Sequence, residues 1–386
     1  MKYIFYTNIV SPHQLPWCRE FVKLVGEENF LYIAEESLHQ ERKELGWNHG
    51  QASWICELEE NRAVLQEKLE TCDILITSLR RTELLNKRAE RGLRSYYMFE
   101  RWFKPPVGTF RMLHPGYRKM CKDFDLLVSS LNIRFLPIGT FAVEDFIKMR
   151  KILKNPFALF SPKTKLSTEK NFPVLSLSSG DMRLWGYFVN PGNGHFVERR
   201  KDVLNLFWCG RMLDWKRVDT LVKAAVNLLK RNIPVELTLV GHGPEEPKLR
   251  KLAGKWLNEK IFFKPPAKID EIRQYMQNHD AYVLSSDGGE GWGAALNEAM
   301  NEGMIPVGTF EAGSSATMIE HGKNGFLYHS KNVKDLESIL EQIWNLKKNG
   351  QDQEIRNNAM QTIHDIWSPE NAAVKLLEDC ASWMNK

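Results

Sequence analysis

The chain has 386 residues, 43% of them hydrophobic and 26% charged, with a formal net charge of +5. That length accommodates two domains, and the composition is ordinary for a soluble globular protein. The mild basic excess is not the signature of a dedicated nucleic-acid binder, and the chain lacks the run of about 18 apolar residues that would span a bilayer.

Strand-like runs alternate with helical patterns, which predicts parallel sheets. Lys2–Thr7 reads as a first buried strand, and as too short and too soon polar for a signal peptide. Leu31–Ala34 and Asp73–Thr77 read as the next strands, followed by a charged helix over Thr82–Arg91 and a fourth strand over Ser95–Glu100. Leu126–Ser129 and Ile133–Pro137 are further strand-like runs, and Phe141–Leu153 has a helical pattern. Residues 155–175 carry Pro156, Pro162 and Pro173 and read as a loop. Leu184–Val189 is apolar again, and Asn190-Pro191-Gly192-Asn193-Gly194 is turn chemistry and the candidate hinge.

A second βα series begins at Val203–Cys209. It continues with a helix over Val218–Arg231, a strand over Val235–Val240, a helix over Glu245–Leu257 and a strand over Ile261–Lys264. A helix over Ile269–Gln277 and a strand over Ala281–Leu284 follow, then a helix over Ala294–Gly303 that Gly303 stops. The sheet ends at Phe326–Tyr328, and Ser368-Pro369 starts a last helix over Asn371–Met384. Cys18, Cys56, Cys72, Cys121, Cys209 and Cys380 are scattered without metal-site spacing, so they read as reduced thiols in a cytosolic chain.

The stretch from Ser285 to Gly293 is a Gly-rich turn between a strand and a helix. Such a turn presents backbone N–H groups to a phosphate. Glu290 lies in the turn and Glu298 on the helix, with seven residues between them. Amides that hold phosphate and carboxylates that hold hydroxyls suggest a sugar nucleotide. The segment resembles the Glu–seven residues–Glu motif of retaining GT-B glycosyltransferases of family 4. Gly210-Arg211-Met212-Leu213-Asp214-Trp215-Lys216 is similar to that family's Gly-Arg-x-x-x-x-Lys, and Leu239-Val240-Gly241-His242-Gly243-Pro244 to its Val-Gly-x-Gly-Pro turn. Gly303–Val307 and Ile319–Phe326 resemble its closing segments, so five motifs run in order between residues 210 and 326.

The resemblance implies two Rossmann-like domains facing across a cleft, with the C-terminal helix crossing back to the first. On that reading residues 1–192 form an acceptor-binding domain, 193–367 a nucleotide-sugar domain and 368–386 the returning helix. Arg211 and Lys216 follow a strand end, where two cations can neutralise a departing diphosphate. Glu290 is expected at the hexose and Glu298 at the ribose. Gly291, Trp292, Gly293, Ala294 and Ala295 would offer amides to the phosphates. Gly241 and Gly243 either line the cleft or make a tight turn, since Glu246 breaks the dinucleotide fingerprint. Phe263 ends the strand where the family contacts the nucleobase.

Where the family carries a glycine pair after the first strand, this chain has Asn8–Gln14, in which His13 can face the cleft. Where it carries a histidine after the fourth strand, Glu100 and Arg101 stand, one of them expected to orient donor or acceptor. Residues 91–122 interleave eight cations with seven aromatic residues around the single acid Glu100. That mixture suits anionic headgroups or a polyprenyl-diphosphate acceptor at the inner membrane face, and no nucleic acid is expected. Asp123-Phe124-Asp125 reads as a strand entry, and no metal or other obligatory cofactor is expected. The resulting expectation is a cytoplasmic retaining hexosyltransferase of surface polysaccharide assembly, with a UDP-sugar as donor. A GT-B-like epimerase and a catalytically silent nucleotide-binding module are the rivals.

Overall fold

A computed structural model describes residues 1–38, 40–46, 52–58, 62–161, 182–190 and 199–385. The candidate hinge at Pro191–Gly194 and most of the expected loop, from 162 onward, lie outside them. The chain divides into two compact units. Unit 1 comprises Met1–Gln40, Asn48–Phe188 and Pro369–Lys386, and unit 2 comprises Glu41–Trp47 and Val189–Ser368.

Unit 1 holds β1 (Tyr3–Thr7), β2 (Phe30–Ala34), β3 (Ile55–Glu57), β4 (Ile74–Thr77), β5 (Arg94–Phe99) and β6 (Ile133–Pro137). They form a parallel sheet in the order β3-β2-β1-β4-β5-β6. β1, β4 and β6 are buried along their whole length, as strands covered on both faces by helices must be. Unit 2 holds β7 (Leu204–Cys209), β8 (Val235–Val240), β9 (Ile261–Lys264), β10 (Ala281–Leu284), β11 (Ile305–Thr309) and β12 (Phe326–Tyr328). Its order, β12-β11-β10-β7-β8-β9, is the same winding, again all parallel. In each unit the order reverses between two central strands, β1 and β4 or β7 and β10. Such a switch point opens a crevice beyond the carboxyl ends of the strands.

Two expectations change. Leu126–Ser129 is not a strand: the helix Pro115–Leu127 takes in its first two residues and a turn the rest, with Cys121, Phe124 and Leu127 buried at a spacing of three. Asp123 and Asp125 therefore sit on a helix, and Asp125 pairs with Arg150 at 2.7 Å. The aromatic residues of 91–122 are mostly core, with Tyr96, Tyr97, Phe99, Trp102 and Phe103 buried.

The last helix, Pro369–Met384, belongs to unit 1 and packs on the helix Leu15–Val25. Asp379 is its polar anchor. Its carboxylate accepts from Tyr96 Oη at 2.7 Å, Arg134 Nη1 at 2.8 Å and Arg183 Nε at 2.8 Å. Arg134 also lies 4.3 Å above the Trp383 ring. None of the six cysteines forms a disulfide.

Candidate functional site

The carboxyl ends of β7 and β10 are neighbours in the unit 2 sheet, so the segments leaving them meet. After β7 the chain turns through Gly210 and Arg211 into a single helical turn at Asp214–Lys216. After β10 it runs through Ser285 and Ser286 into the Gly-rich turn. Backbone and hydroxyl bonds stitch the two segments together. Asp287 N donates to Trp215 O at 2.8 Å, and Ser285 Oγ donates to Lys216 O at 2.7 Å. Thr309 Oγ1, at the end of β11, donates to Ser286 O at 2.6 Å.

This frame brings Lys216 onto Glu290. The ammonium pairs with Glu290 Oε2, and Ser286 Oγ donates to the same oxygen at 2.9 Å. Oε1 accepts nothing among the described residues. Glu290 is 8% exposed, so the pair sits in a poorly hydrated pocket where a charge acts strongly on a neighbouring charge. Lys216 Nζ also lies 4.5 Å from the Trp215 ring centroid, a cation–π contact. Arg211 is exposed and has no ion-pair partner among the described residues. Arg217, next to Lys216, has φ +50°, an uncommon conformation for a branched-free but bulky side chain. Its guanidinium bonds Asp214 at 3.1 Å and Asp219 at 3.0 Å, which hold it there.

The helix after the turn spans Ala295–Asn301, shorter than the expected Ala294–Gly303. Gly303 does end it, with φ +70° and its N–H on Met300 O at 3.2 Å. Leu296 N donates to Gly293 O at 3.1 Å and Glu298 N to Ala294 O at 3.2 Å, so the amides that a helix start leaves open are those nearer the turn. Trp292 is buried, not displayed: its Nε1 donates to Asn297 Oδ1 at 2.8 Å and its ring lies 5.3 Å from Trp367. It shapes the turn from beneath. Gly313 packs against that turn so closely that a methyl on it would lie 2.0 Å from Gly291 O.

Glu298 is half-buried, and burial pushes its carboxyl up to about 7. Arg273 draws the value back down, and Glu302 adds to the rise. The Glu298 charge also reaches Cys209 at the end of β7, whose thiol is pushed up to about 12 mainly by burial. Glu298 therefore lies toward the same strand ends as Lys216 and Glu290.

Gly241 and Gly243 serve close packing. A methyl on Gly241 would lie 2.0 Å from Gly210 O, and one on Gly243 2.5 Å from Met212 O. With Met212 N donating to His242 O at 2.9 Å, this turn braces the segment that carries Arg211. Phe263 packs on the unit 2 core under the Arg250 guanidinium, 4.6 Å from its ring centroid.

The other two candidates belong to unit 1. Glu100 follows β5, accepting from Tyr187 Oη at 2.8 Å and pairing with Lys104 at 3.1 Å. His13 follows β1, with its ring 5.9 Å from that of Tyr187. Burial pushes its imidazole down to about 4. Tyr187 thus joins His13 and Glu100, a link that the sequence reading lacks. Arg101 is nearly buried, 4.5 Å from the Phe141 ring centroid, so Glu100 is the more available of that pair. Ser286 and Trp215 are the residues missed in unit 2. The signal for Ser286 was its place, two positions beyond an apolar strand and four before Glu290. Among the described residues no group of three His, Cys, Asp or Glu side chains is placed to hold a metal ion.

Residues 196–362 match the family profile described as glycosyl transferases group 1. The matched span lies within unit 2. The chain is 29% identical over 214 residues to an uncharacterized glycosyltransferase of Methanocaldococcus jannaschii, covering 50% of this chain and 54% of that protein. It is 28% identical over 182 residues to the GtfA subunit of a UDP-N-acetylglucosamine–peptide N-acetylglucosaminyltransferase of Streptococcus gordonii, covering 45% of this chain and 35% of that one. The chain thus spans about half, or less, of the length of these curated relatives. The crystal structure of Anabaena HepE in complex with UDP superposes with a TM-score of 0.67 at 15% identity, over 99% of this chain and all of that one. The two parallel-sheet units are those of the GT-B fold.

Proposed function

We propose that this chain is a glycosyltransferase that moves a hexose or N-acetylhexosamine from a nucleoside-diphosphate sugar to a hydroxyl of a glycan or polyprenyl-diphosphate-linked acceptor. The observation that carries the reading is the Lys216–Glu290 pair at the β7 and β10 strand ends, with Ser286 on Glu290 and Glu298 alongside. UDP is the favoured nucleotide. HepE is seen with UDP, and the GtfA proteins are named for UDP-N-acetylglucosamine. Retention of configuration, a cytoplasmic setting and a role in surface polysaccharide assembly complete the reading.

The proposed chemistry follows from charge. As the bond from the anomeric carbon to the β-phosphate oxygen breaks, negative charge builds on the diphosphate and positive charge on the sugar. Lys216 and Arg211 neutralise the first, and the amides of 291–295 add hydrogen bonds. Glu290 holds Lys216 in position and accepts from sugar hydroxyls through Oε1. The acceptor hydroxyl attacks from the face that the diphosphate leaves, and a phosphate oxygen takes its proton. Glu100 and His13 are the further residues assigned here to orienting donor or acceptor.

Thermal-shift titration with UDP, GDP, ADP and dTDP tests the donor half of this reading. One nucleotide, expected to be UDP, raises the melting temperature by mass action, and Glu298→Ala removes most of that rise. If no nucleotide shifts the transition, with or without a divalent cation, the reading fails.

Binding should also depend on pH in a defined direction. Ribose hydroxyls donate to the carboxylate form of Glu298, while the nucleotide-free site favours the protonated form up to about pH 7. Binding therefore releases a proton, and affinity rises as pH increases through about 7, then levels off. In Glu298→Gln this component disappears, leaving only the ionisation of the nucleotide phosphate. Calorimetry in buffers of different ionisation enthalpy measures the proton count. An unchanged count in the variant would refute the assignment.

A further inference from the structure

We infer that unit 1 carries a docking surface for an anionic lipid bilayer, built from two short helical segments, Gly108–Leu113 and Pro156–Phe160. The residues are not the aromatic set that the sequence pattern marks in β5, since that set is core. The exposed chains are Phe157 at 81%, Phe160 at 74%, Leu113 at 67%, Phe110 at 51% and Val107 at 46%. Single exposed apolar residues are commonplace, but five large ones on two adjoining turns are not. Phe110 and Phe160 meet with ring centroids 6.3 Å apart, which makes the two turns one surface.

The outward display is built into the fold. Each turn sends one residue inward, Met112 or Leu159, and both are buried. The buried Lys148 donates to the carbonyls of Ala158 and Ser161 and fixes the second turn. A turn that only covered the core would carry polar residues at the remaining positions. Here those positions include Phe110, Leu113, Phe157 and Phe160.

Charge identifies the occupant. Residues 101–122 contain Arg101, Lys104, Arg111, Arg118, Lys119 and Lys122 and no acid. Residues 146–161 contain Lys148, Arg150, Lys151 and Lys154, again with no acid. Some of these are committed elsewhere, as Lys104 is to Glu100 and Arg150 to Asp125. Lys119, Lys122 and Lys154 are exposed and have no partner among the described residues. Apolar side chains that enter the headgroup region, flanked by unpaired cations, match an anionic bilayer surface. Among the described residues no helix is long and apolar enough to cross a membrane, so the contact is peripheral.

Flotation with extruded vesicles tests this surface independently of any activity. The wild-type protein binds vesicles of mixed phosphatidylcholine and phosphatidylglycerol and not pure phosphatidylcholine. Binding weakens as salt rises from about 0.1 M to about 1 M, because the screening length shrinks. Phe157→Ser with Phe160→Ser lowers the partition coefficient by about tenfold or more. Lys119→Ser, Lys122→Ser and Lys154→Ser together flatten the salt dependence. All five positions are exposed, so melting temperature and nucleotide response stay at wild-type values. The inference is overturned if the wild type ignores anionic vesicles or if the phenylalanine variant binds as well as wild type. It is also overturned if light scattering finds a dimer that the phenylalanine variant dissociates, since the surface would then belong to a second copy of the chain.

Discussion

Lys216→Ala is expected to lower turnover of the donor sugar by about 10²–10³-fold, with a smaller loss of nucleotide affinity. The asymmetry follows from when the charge is needed. On the proposed reading a bound diphosphate is already anionic, so Lys216 would contribute to binding, but further charge would gather on the diphosphate as its bond to the anomeric carbon breaks. The ammonium is held by the Trp215 ring and Glu290, so it needs little rearrangement to meet that charge. Removing it also leaves the largely buried Glu290 carboxylate with only Ser286 as a partner among the described residues. Glu290→Gln keeps the shape and loses the pairing, and should show an intermediate defect. Lys216→Arg keeps the charge but not the geometry and should recover only part of the rate. Release of nucleoside diphosphate, followed by a coupled assay, measures all three. If Lys216→Ala retains turnover within about fivefold of wild type, the role given to Lys216 is wrong.

Asp280→Ala should be the most destabilising single change in unit 2, costing about 3–5 kcal/mol. Asp280 precedes β10 at the opposite end of the sheet from the site and is fully buried. Its Oδ2 accepts from Asn205 N in β7 at 2.8 Å and from Lys347, and its Oδ1 from Arg356 Nη2 at 3.1 Å. Burial already pushes the Lys347 ammonium down. Without the carboxylate, two nearly buried cations lose their shared partner. Arg356 keeps Asp352 at 2.7 Å, but among the described residues Lys347 keeps only the Val203 carbonyl at 2.8 Å. Urea unfolding reads the loss, with each unit free to give its own transition. A decrease below about 1 kcal/mol would mean that water or a neighbouring acid replaces the carboxylate.

Much of unit 2 is legible in the sequence for a physical reason. β7 to β10 are short apolar runs, each followed by turn residues, as a sheet buried on both faces requires. β11 is harder to see, because Pro306 and Gly308 interrupt its run, yet Pro306 pairs with Tyr282 in the register. Leu126–Ser129 misleads because three adjacent apolar residues look like a strand. Their burial follows a helix instead, and Leu126 is 70% exposed. The candidate site divides in the same way. Residue types and spacing single out Glu290 and Glu298, and the resemblance to the family 4 motifs adds Arg211 and Lys216, all without a structure. Lys216 and Glu290, however, are 74 positions apart, and Tyr187 and Glu100 are 87 apart. Contacts at such separations depend on strand order, which no local pattern encodes.

The placement of Asp379 bears on how this molecule is made. Unit 1 begins at Met1 but gains its last helix only from Pro369 onward, after unit 2 has been translated. Domains tend to fold in the order in which they leave the ribosome. Here the earlier unit must wait, with Arg134, Arg183 and Tyr96 lacking the carboxylate they converge on, while the later one can already close. The nascent chain would therefore complete its second half first. A chaperone or a premature stop near the C-terminus would act on the fold of the N-terminal unit, not on the region where the defect lies in the message.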